Sequence, residues 1–186
     1  KLVNDTLGHH IGDLLLQKIA DRVQHLTRAG DVAIRVGGDE FVLVTPDIQN
    51  ASDCYAVAEK LLKTIAEDVQ VGDNTVSISA SIGIALYPND AEDVTELLKC
   101  ADLAMFSAKD AGRNRYAFFD QHLADKAQLR MRLERDLRQV LQTETNQLQL
   151  YYQPIVDAFS GEICGIEALL RWFHPELGAI NPERFI

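Results

Sequence analysis

The sequence predicts an α/β fold in which a mixed sheet is flanked by helices, followed by a long helix and the opening of a second unit. Two observations predict the fold class: apolar residues recur at helical spacing in three segments, and short β-branched runs alternate with them. Alternation of this kind is typical of layered α/β domains. A third observation separates the second unit, because residues 121–142 contain no glycine or proline.

The elements of the first domain follow in the order helix, hairpin, helix, strand, helix, strand. We expect helices over 10–28, 51–66 and 93–110, a β-hairpin over 32–44, and strands over 76–87 and 115–119. The hairpin is predicted by two β-branched runs around Gly37-Gly38. The chain enters its first helix without a preceding strand.

A linker helix and a second hairpin follow. The linker helix is predicted by leucines four residues apart, namely Leu129, Leu133, Leu137 and Leu141. The runs LQLYYQPIV (148–156) and ICGIEALLRW (163–172) predict the hairpin. Because chains below ~40 residues rarely close a core alone, the last part is expected to begin a larger domain. The predicted organisation is a domain over 1–119, a linker helix over 120–143 and the beginning of a second domain over 144–186.

Composition excludes several classes of function. The 186 residues include 28 acidic and 18 basic side chains, giving a formal net charge of −10, and 47% are hydrophobic. This balance argues against disorder and against a nucleic-acid polymer as partner, since phosphate neutralisation requires a basic face. No apolar run reaches the ~18 residues of a membrane span, and the cysteines form no CxxC pair. We expect a cytoplasmic location, with any membrane tether lying elsewhere in a parent protein.

The tip of the first hairpin combines two glycines with two carboxylates. Gly37 and Gly38 permit positive φ and let a ligand approach the main chain. Asp39 and Glu40 supply hard oxygen ligands, and Mg²⁺ is commonly held by one or two carboxylates plus substrate phosphates. Taken alone, the same string is typical of a tight, solvated turn.

Two further pairs extend this to a guanine nucleotide site. Asn4 and Asp13 bracket the entry to the first helix, where a carboxylate accepts from the guanine N1–H and amino group; both types are also ordinary helix caps. Lys109 and Arg113 lie four apart near the end of the third helix, so we expect them to face a polyphosphate together. Cations at a helix C-terminus also complement its dipole.

Residues 1–119 resemble the GGDEF family of diguanylate cyclases. The runs NDTLGHHIGD, RVGGDEF, SASIGIA and ADLAMFSAKDAGRNR occur in the order and at the spacing of that family. The resemblance implies a palm-like nucleotidyl-cyclase fold that condenses two GTP to cyclic di-GMP in a homodimer, with Mg²⁺ or Mn²⁺. It assigns metal binding and catalysis to Asp39 and Glu40, and substrate binding to Asn4, Asp13, Gly37, Gly38, Lys109 and Arg113.

Arg28 and Asp31 resemble the RxxD inhibitory site of the same family. Five residues separate Asp31 from Gly37, which is the family offset. The resemblance implies that cyclic di-GMP docks there and restrains the cyclase. The alternative is a local Arg–Asp ion pair at a helix end, which contributes little.

The second unit resembles the start of the EAL family of cyclic di-GMP phosphodiesterases. The runs YYQPIV, EALLRW, HPELG and PERFI carry the resemblance. It implies a TIM-like barrel that hydrolyses cyclic di-GMP with metal-activated water. Glu167 would be a metal ligand, and Gln153, Leu170 and Arg171 would contact the dinucleotide. Without the resemblance, Glu167 is an ordinary polar residue of an alternating strand.

The sequence departs from the cyclase pattern at its beginning. It opens inside the family's FKxxND segment, so the preceding strand, with another metal-binding aspartate, is not included. We therefore expect residues 1–186 alone to show neither activity. Two alternatives to catalysis are a GGDEF domain that binds GTP or cyclic di-GMP and regulates the phosphodiesterase, and a dimerisation module.

Overall fold

The computed structural model describes residues 2–46, 48, 51–143 and 145–185. Contacts between residues divide the chain into two compact units, Lys1–Leu123 and Ala124–Ile186. Both contain helices and strands, which confirms the predicted α/β class. Within the described ranges, no helix is both long enough and apolar enough to cross a membrane.

The described part of the first unit contains four complete helices and six strands. The helices are α1 (Leu2–Leu7), α2 (His9–Leu26), α3 (Ala51–Ala66) and α4 (Val94–Asp110), and the strands are β1 (Val32–Gly37), β2 (Glu40–Val44), β3 (Val69–Val71), β4 (Asn74–Val76), β5 (Ser81–Ile84) and β6 (Arg115–Phe118). The three predicted helices are confirmed to within two residues at each end. Sequence periodicity does not predict α1, because its six residues are too few and Gly8, with a φ of +85°, separates it from α2.

The strands of the first unit pair two by two. β1 with β2 and β3 with β4 are antiparallel, whereas β5 with β6 is parallel. Both orientations of the predicted mixed sheet therefore occur, but no ladder among the described residues joins one pair to another. The predicted strand over 76–87 is wrong in extent. Val76 closes a short hairpin with β3 around Gly72, and β5 begins only at Ser81.

The core of the first unit lies between α2, α3 and the β3–β4 hairpin. Its buried members are Leu15, Ile19, Val23, Leu61, Ile65, Val69, Val71 and Val76. Phe41 and Leu43 of β2 pack against this core. On β1, Val32 and Ile34 are 51% and 47% exposed. The β1–β2 hairpin is thus anchored to the core through one strand.

Helix α4 packs directly on β5 at Gly83. A Cβ atom added at Gly83 would overlap the carbonyl oxygen of Ala101 and the main chain of Met105. The glycine in the run SASIGIA is therefore required by close approach of helix and strand.

The second unit is a helix on a three-stranded sheet. Its elements are most of α5 (Gln121–Gln142), then β7 (Leu148–Val156), β8 (Ile163–His174) and β9 (Gly178–Ile180), all pairing antiparallel in that order, and a 3₁₀ turn (Pro182–Arg184). The predicted helix and both predicted strands are confirmed, with β8 two residues longer. The fully buried Trp172 packs with Leu133 and Val140 of α5 and with Ile180. The domain limits predicted from the sequence stay a prediction.

Candidate active site

The tip of the β1–β2 hairpin presents two exposed carboxylates on an open turn. Gly37 pairs with Glu40, and Gly38 and Asp39 form the turn between them. Gly38 has a φ of +52°, where glycine carries no steric penalty. A Cβ atom added at Gly37 or Gly38 would meet nothing within 4 Å, and Asp39 and Glu40 are exposed. The turn leaves room for a ligand to reach both its main chain and its carboxylates.

A bulge precedes this turn, and the side chain of Arg35 bridges it. The pairing of β1 with β2 shifts between Arg35 and Gly37, so Val36 is an extra residue on β1. The Arg35 guanidinium donates from Nε and Nη2 to the Gly38 carbonyl oxygen, at 3.0 and 2.8 Å. Sequence reasoning missed this residue because apolar periodicity does not mark a side chain that bonds to the main chain. The available signal was an arginine on a strand shortly before two glycines.

Asn4 and Asp13, the predicted guanine contacts, come from consecutive helices. The side chain of Asn4 in α1 lies against Gly12 of α2, where an added Cβ atom would overlap the Asn4 Oδ1. Asp13 follows Gly12 and is exposed. The N-cap of α2 is Gly8, which makes no side-chain capping bond. Neither Asn4 nor Asp13 is therefore the N-cap of α2.

The expectation that Lys109 and Arg113 share a helix face is wrong. The helix α4 ends before Arg113, in a cap where the Gly112 N–H donates to the Lys109 carbonyl (3.3 Å) and the Arg113 N–H to the Ala108 carbonyl (3.0 Å). This is the bonding pattern of a Schellman motif. Gly112 and Arg113 have φ values of +111° and +60°, so the chain turns there and helical spacing no longer relates the two cations. Their role as phosphate contacts stays a prediction.

The predicted inhibitory motif forms a local turn. The Arg28 N–H donates to Asp31 Oδ2 at 2.7 Å, and the Asp31 N–H donates to the Arg28 carbonyl at 3.1 Å. Among the described residues, no ion pair joins the two side chains, in contrast to the local-pair alternative. The Arg28 guanidinium is exposed on the surface of the first unit.

The predicted EAL-family contacts lie on the β7–β8 hairpin. Gln153 is directly opposite Glu167, and both are exposed. Strand alternation puts Glu167 and Arg171 on one face and Leu170 on the other. Arg171 lies 5.9 Å from the centre of the Tyr151 ring and donates to the Leu170 carbonyl at 3.0 Å. The structure thus places Gln153, Glu167 and Arg171 on one face of the hairpin and Leu170 on the other.

A buried histidine connects α5 to the end of β8, and sequence reasoning missed it. His174 accepts at Nδ1 from the N–H groups of Glu176 and Leu177, both at 3.2 Å, so Nε2 is left to donate to Asp136 Oδ2 at 3.2 Å. A hydrogen bond from Arg135, together with those from His174 and Arg132, holds the pKa of Asp136 below its ordinary value. The network fixes the helix to the strand that carries Glu167 and Arg171.

The predicted catalytic and substrate-binding residues of the first unit come from three regions of the chain, and the predicted inhibitory pair Arg28 and Asp31 is a fourth. Within the described part of the chain, no hydrogen bond or ion pair connects the hairpin tip with Asn4 and Asp13 or with Lys109 and Arg113. The same ranges hold no group of three or more His, Cys, Asp or Glu side chains that would form a complete metal shell.

Two family models match the chain. Residues 1–115 match "Diguanylate cyclase, GGDEF domain", and residues 134–186 match "EAL domain". The first match spans more than half of the chain.

Curated relatives match over the whole chain. A protein named as the bifunctional diguanylate cyclase/cyclic di-GMP phosphodiesterase MucR of Pseudomonas aeruginosa is 50% identical over 186 residues. The cyclic di-GMP phosphodiesterase NbdA of the same organism is 39% identical over 186 residues. The chain covers 27% and 23% of these two proteins, so it spans about a quarter of their length.

Solved structures resemble the first unit. The GGDEF domain of YfiN, also called TpbB, from Pseudomonas aeruginosa is 35% identical with a TM-score of 0.62, covering 64% of this chain and 75% of that chain. An EAL/GGDEF domain protein from M. capsulatus is 41% identical with a TM-score of 0.61, covering 64% and 77%. The active GGEEF domain of a diguanylate cyclase from Vibrio cholerae is 28% identical with a TM-score of 0.55, covering 64% and 76%.

Proposed function

We propose that this chain, which belongs to the diguanylate cyclase GGDEF-domain family, supplies the cyclase site of a protein that makes cyclic di-GMP from two molecules of GTP. The observation that carries the proposal is the open turn of the β1–β2 hairpin, where Asp39 and Glu40 present adjacent carboxylates beside two glycines. A substrate phosphate and a cation can both approach such a turn. The bifunctional name of the relative that is 50% identical supports the same activity.

Asp39 and Glu40 fit a divalent cation, Mg²⁺ or Mn²⁺. Carboxylate oxygens are the donors these ions prefer, and Mg²⁺ sites in proteins often use one or two carboxylates with waters and substrate phosphates. When bound, the cation neutralises charge on the transferring phosphoryl group and acidifies the attacking hydroxyl.

The remaining groups bind and orient GTP. The exposed Asp13 carboxylate accepts from the guanine N1–H and amino group, and Asn4, seated on Gly12, supplies an amide to the base edge. Lys109 and Arg113 approach the triphosphate from the end of α4. The Lys109 ammonium contributes a compact positive charge, and the Arg113 guanidinium can donate two parallel hydrogen bonds to one phosphate. Each domain of a homodimer holds one GTP. The 3′-hydroxyl of each GTP attacks the α-phosphate of the other, and two pyrophosphates leave.

The test is synthesis of cyclic di-GMP by the protein that carries this chain, with GTP and Mg²⁺. We expect Asp39→Asn and Glu40→Gln each to lower the rate by about 100-fold or more, because charge opposite the reacting phosphoryl group is lost. Asp73→Asn is the matched control: Asp73 is an exposed aspartate beside Gly72, at the tip of the β3–β4 hairpin. A parent protein without synthesis, or an Asp39 variant with unchanged synthesis, contradicts the proposal.

A second candidate function is regulation of the phosphodiesterase by GTP or cyclic di-GMP bound to the first unit. The observation that favours it is the name of NbdA, which is 39% identical over the whole chain and is called a phosphodiesterase alone. The Asp39 and Glu40 variants separate the candidates. Loss of synthesis supports the cyclase, whereas a change in hydrolysis with no synthesis to lose supports the regulator.

The surface turn of Arg28 and Asp31 binds cyclic di-GMP as product and restrains synthesis. An exposed guanidinium pairs with a phosphate or a guanine edge. Titration calorimetry with cyclic di-GMP tests this, and Arg28→Ala is expected to abolish the heat of binding at this site. Binding that is unaffected by the substitution contradicts the assignment.

The second unit contributes the first strands of a cyclic di-GMP phosphodiesterase. Glu167 would hold a metal ion, with Gln153 across the ladder and Arg171 along the strand contacting the dinucleotide. Leu170 lies on the other face of β8, so a ligand bound beside Glu167 and Arg171 would not meet the Leu170 side chain on that face. Hydrolysis by the parent protein is expected to be lost in Glu167→Gln, and retained activity contradicts this role.

A further inference from the structure

We infer that Arg35 is a positioning residue of the proposed cyclase site. It fixes the peptide that joins Gly38 to Asp39, and through that peptide the direction of the Asp39 carboxylate. The inference rests on the proposed function and adds to it a residue that does not itself contact the cation or the substrate.

The turn requires a restraint from outside its own sequence. Two consecutive glycines give the main chain more accessible conformations than any other pair, and the extra residue Val36 interrupts the ladder directly before them. A Cβ atom added at Gly37 or Gly38 would meet nothing within 4 Å, so no neighbouring atom restricts the turn from that side. A turn of this kind does not hold a metal ligand in one place by itself.

Arg35 supplies the restraint. Its Nε and Nη2 both donate to the Gly38 carbonyl oxygen, at 3.0 and 2.8 Å, so the planar guanidinium fixes both the distance and the direction of that oxygen. Bonds from a charged donor are stronger than neutral ones. No ion pair among the described residues joins the Arg35 guanidinium to Asp39 or Glu40. The carboxylate oxygens of these two residues are therefore not occupied by Arg35 and can bind a metal ion.

The consequence for the site follows from peptide geometry. The peptide after Gly38 is planar and trans, so its N–H points opposite to its carbonyl. With the carbonyl directed at Arg35, the Asp39 N–H faces away from Arg35, at the tip of the hairpin. The same bond therefore sets a main-chain donor for a phosphate and the starting direction of the Asp39 side chain.

The experiment compares Arg35→Met and Arg35→Lys in the protein that carries this chain. Methionine keeps an apolar side chain of similar length but has no N–H donors. Lysine keeps the positive charge but lacks the planar guanidinium that donates two bonds to one oxygen. The measurements are kcat and KM for GTP, the Mg²⁺ concentration at half-maximal rate, and the melting temperature. Lys63→Met is the matched control, since it removes one exposed cation from the same unit, on α3.

We expect Arg35→Met to lower kcat by about 10- to 100-fold and to raise the Mg²⁺ requirement, as for other residues that orient metal ligands. The melting temperature should stay close to that of the wild type, and Arg35→Lys should recover part of the rate. A wild-type rate and Mg²⁺ requirement in Arg35→Met overturn the inference but not the proposed function. A loss that only follows unfolding also overturns it. A parent protein that makes no cyclic di-GMP overturns both.

Discussion

The two hairpins of the chain place their functional side chains in different ways. In β1–β2 the carboxylates of Asp39 and Glu40 lie at the turn, where glycines leave space around the main chain. In β7–β8 the polar residues lie along the strands, and Gln153 faces Glu167 across the ladder. The first arrangement depends on the conformation of four turn residues, and the second depends on the register of two long strands.

The hairpins also differ in how they are attached. β8 carries Trp172, whose exposed fraction is 0%, and this ring is packed between α5 and Ile180. β2 contributes only half-buried side chains, Phe41 and Leu43, to the core of the first unit. A buried anchor holds a strand in register, whereas a turn needs local bonds. Substitutions in the core should therefore affect the site on β7–β8 most, and substitutions at turn residues the site on β1–β2.

The largest effect is expected for Trp172→Ala. Removing this ring leaves a cavity between α5 and the sheet, which should lower the free energy of unfolding of the second unit by about 3–5 kcal/mol. Phe159→Ala is the matched control, because Phe159 on the same hairpin is 102% exposed and should change stability little. Denaturation followed by circular dichroism checks both variants. Equal effects of the two substitutions would show that Trp172 is not the anchor.

A smaller and more selective effect is expected for the turn glycines. Gly38 and Gly161 lie in the two hairpin turns with φ values of +52° and +73°, and neither has an atom within 4 Å of an added Cβ. Alanine at either position should cost about 1–2 kcal/mol through backbone strain alone. The selective result is in function, because only Gly38→Ala should lower synthesis of cyclic di-GMP by the parent protein. A comparable loss of synthesis in Gly161→Ala would show that the β1–β2 turn is not specifically required for synthesis.

Elements with a strong period were predictable from the sequence, and contacts to the main chain were not. The leucine spacing of α5 and the Gly-Gly turn of the first hairpin both led to confirmed elements. Helix α1 was not predicted because six residues cannot show a helical period, yet this helix holds Asn4 against Gly12. The bonds of Arg35 to Gly38 leave no periodic trace in the sequence.

The error at Lys109 and Arg113 has a specific cause. The spacing argument assumed a continuous helix, although the helix predicted over 93–110 already ended before Arg113. In the structure Gly112 takes the left-handed cap position, and Arg113 follows with a positive φ. When a helix ends between two residues, their spacing no longer shows whether they share a face, because the rotation of about 100° per residue applies only within the helix.

The smallest effect is expected from the charge of Asp157, which organises the β7–β8 turn. Its Oδ1 accepts from the N–H groups of Ser160 and Phe159, at 2.7 and 3.0 Å, and these bonds hold the pKa of Asp157 below its ordinary value. A lowered pKa in the folded state stabilises the fold at pH values above the ordinary aspartate value of about 3.9. As the pH falls, the unfolded chain takes up the proton first, and the stabilisation disappears.

We therefore expect Asp157→Asn to be less stable than the wild type near neutral pH and equal to it in acid, once the pH is below the lowered pKa. Trp172 is the single tryptophan of the chain and lies in the second unit, so its fluorescence in urea reports the unfolding of that unit. Comparing variant and wild type at each pH cancels the general effect of acid on the fold. A stability difference that grows as the pH falls would show that the Asp157 charge does not stabilise this turn. In that case the β7–β8 hairpin would depend on strand register and its buried anchor alone, which would make the contrast with the turn-dependent β1–β2 hairpin complete.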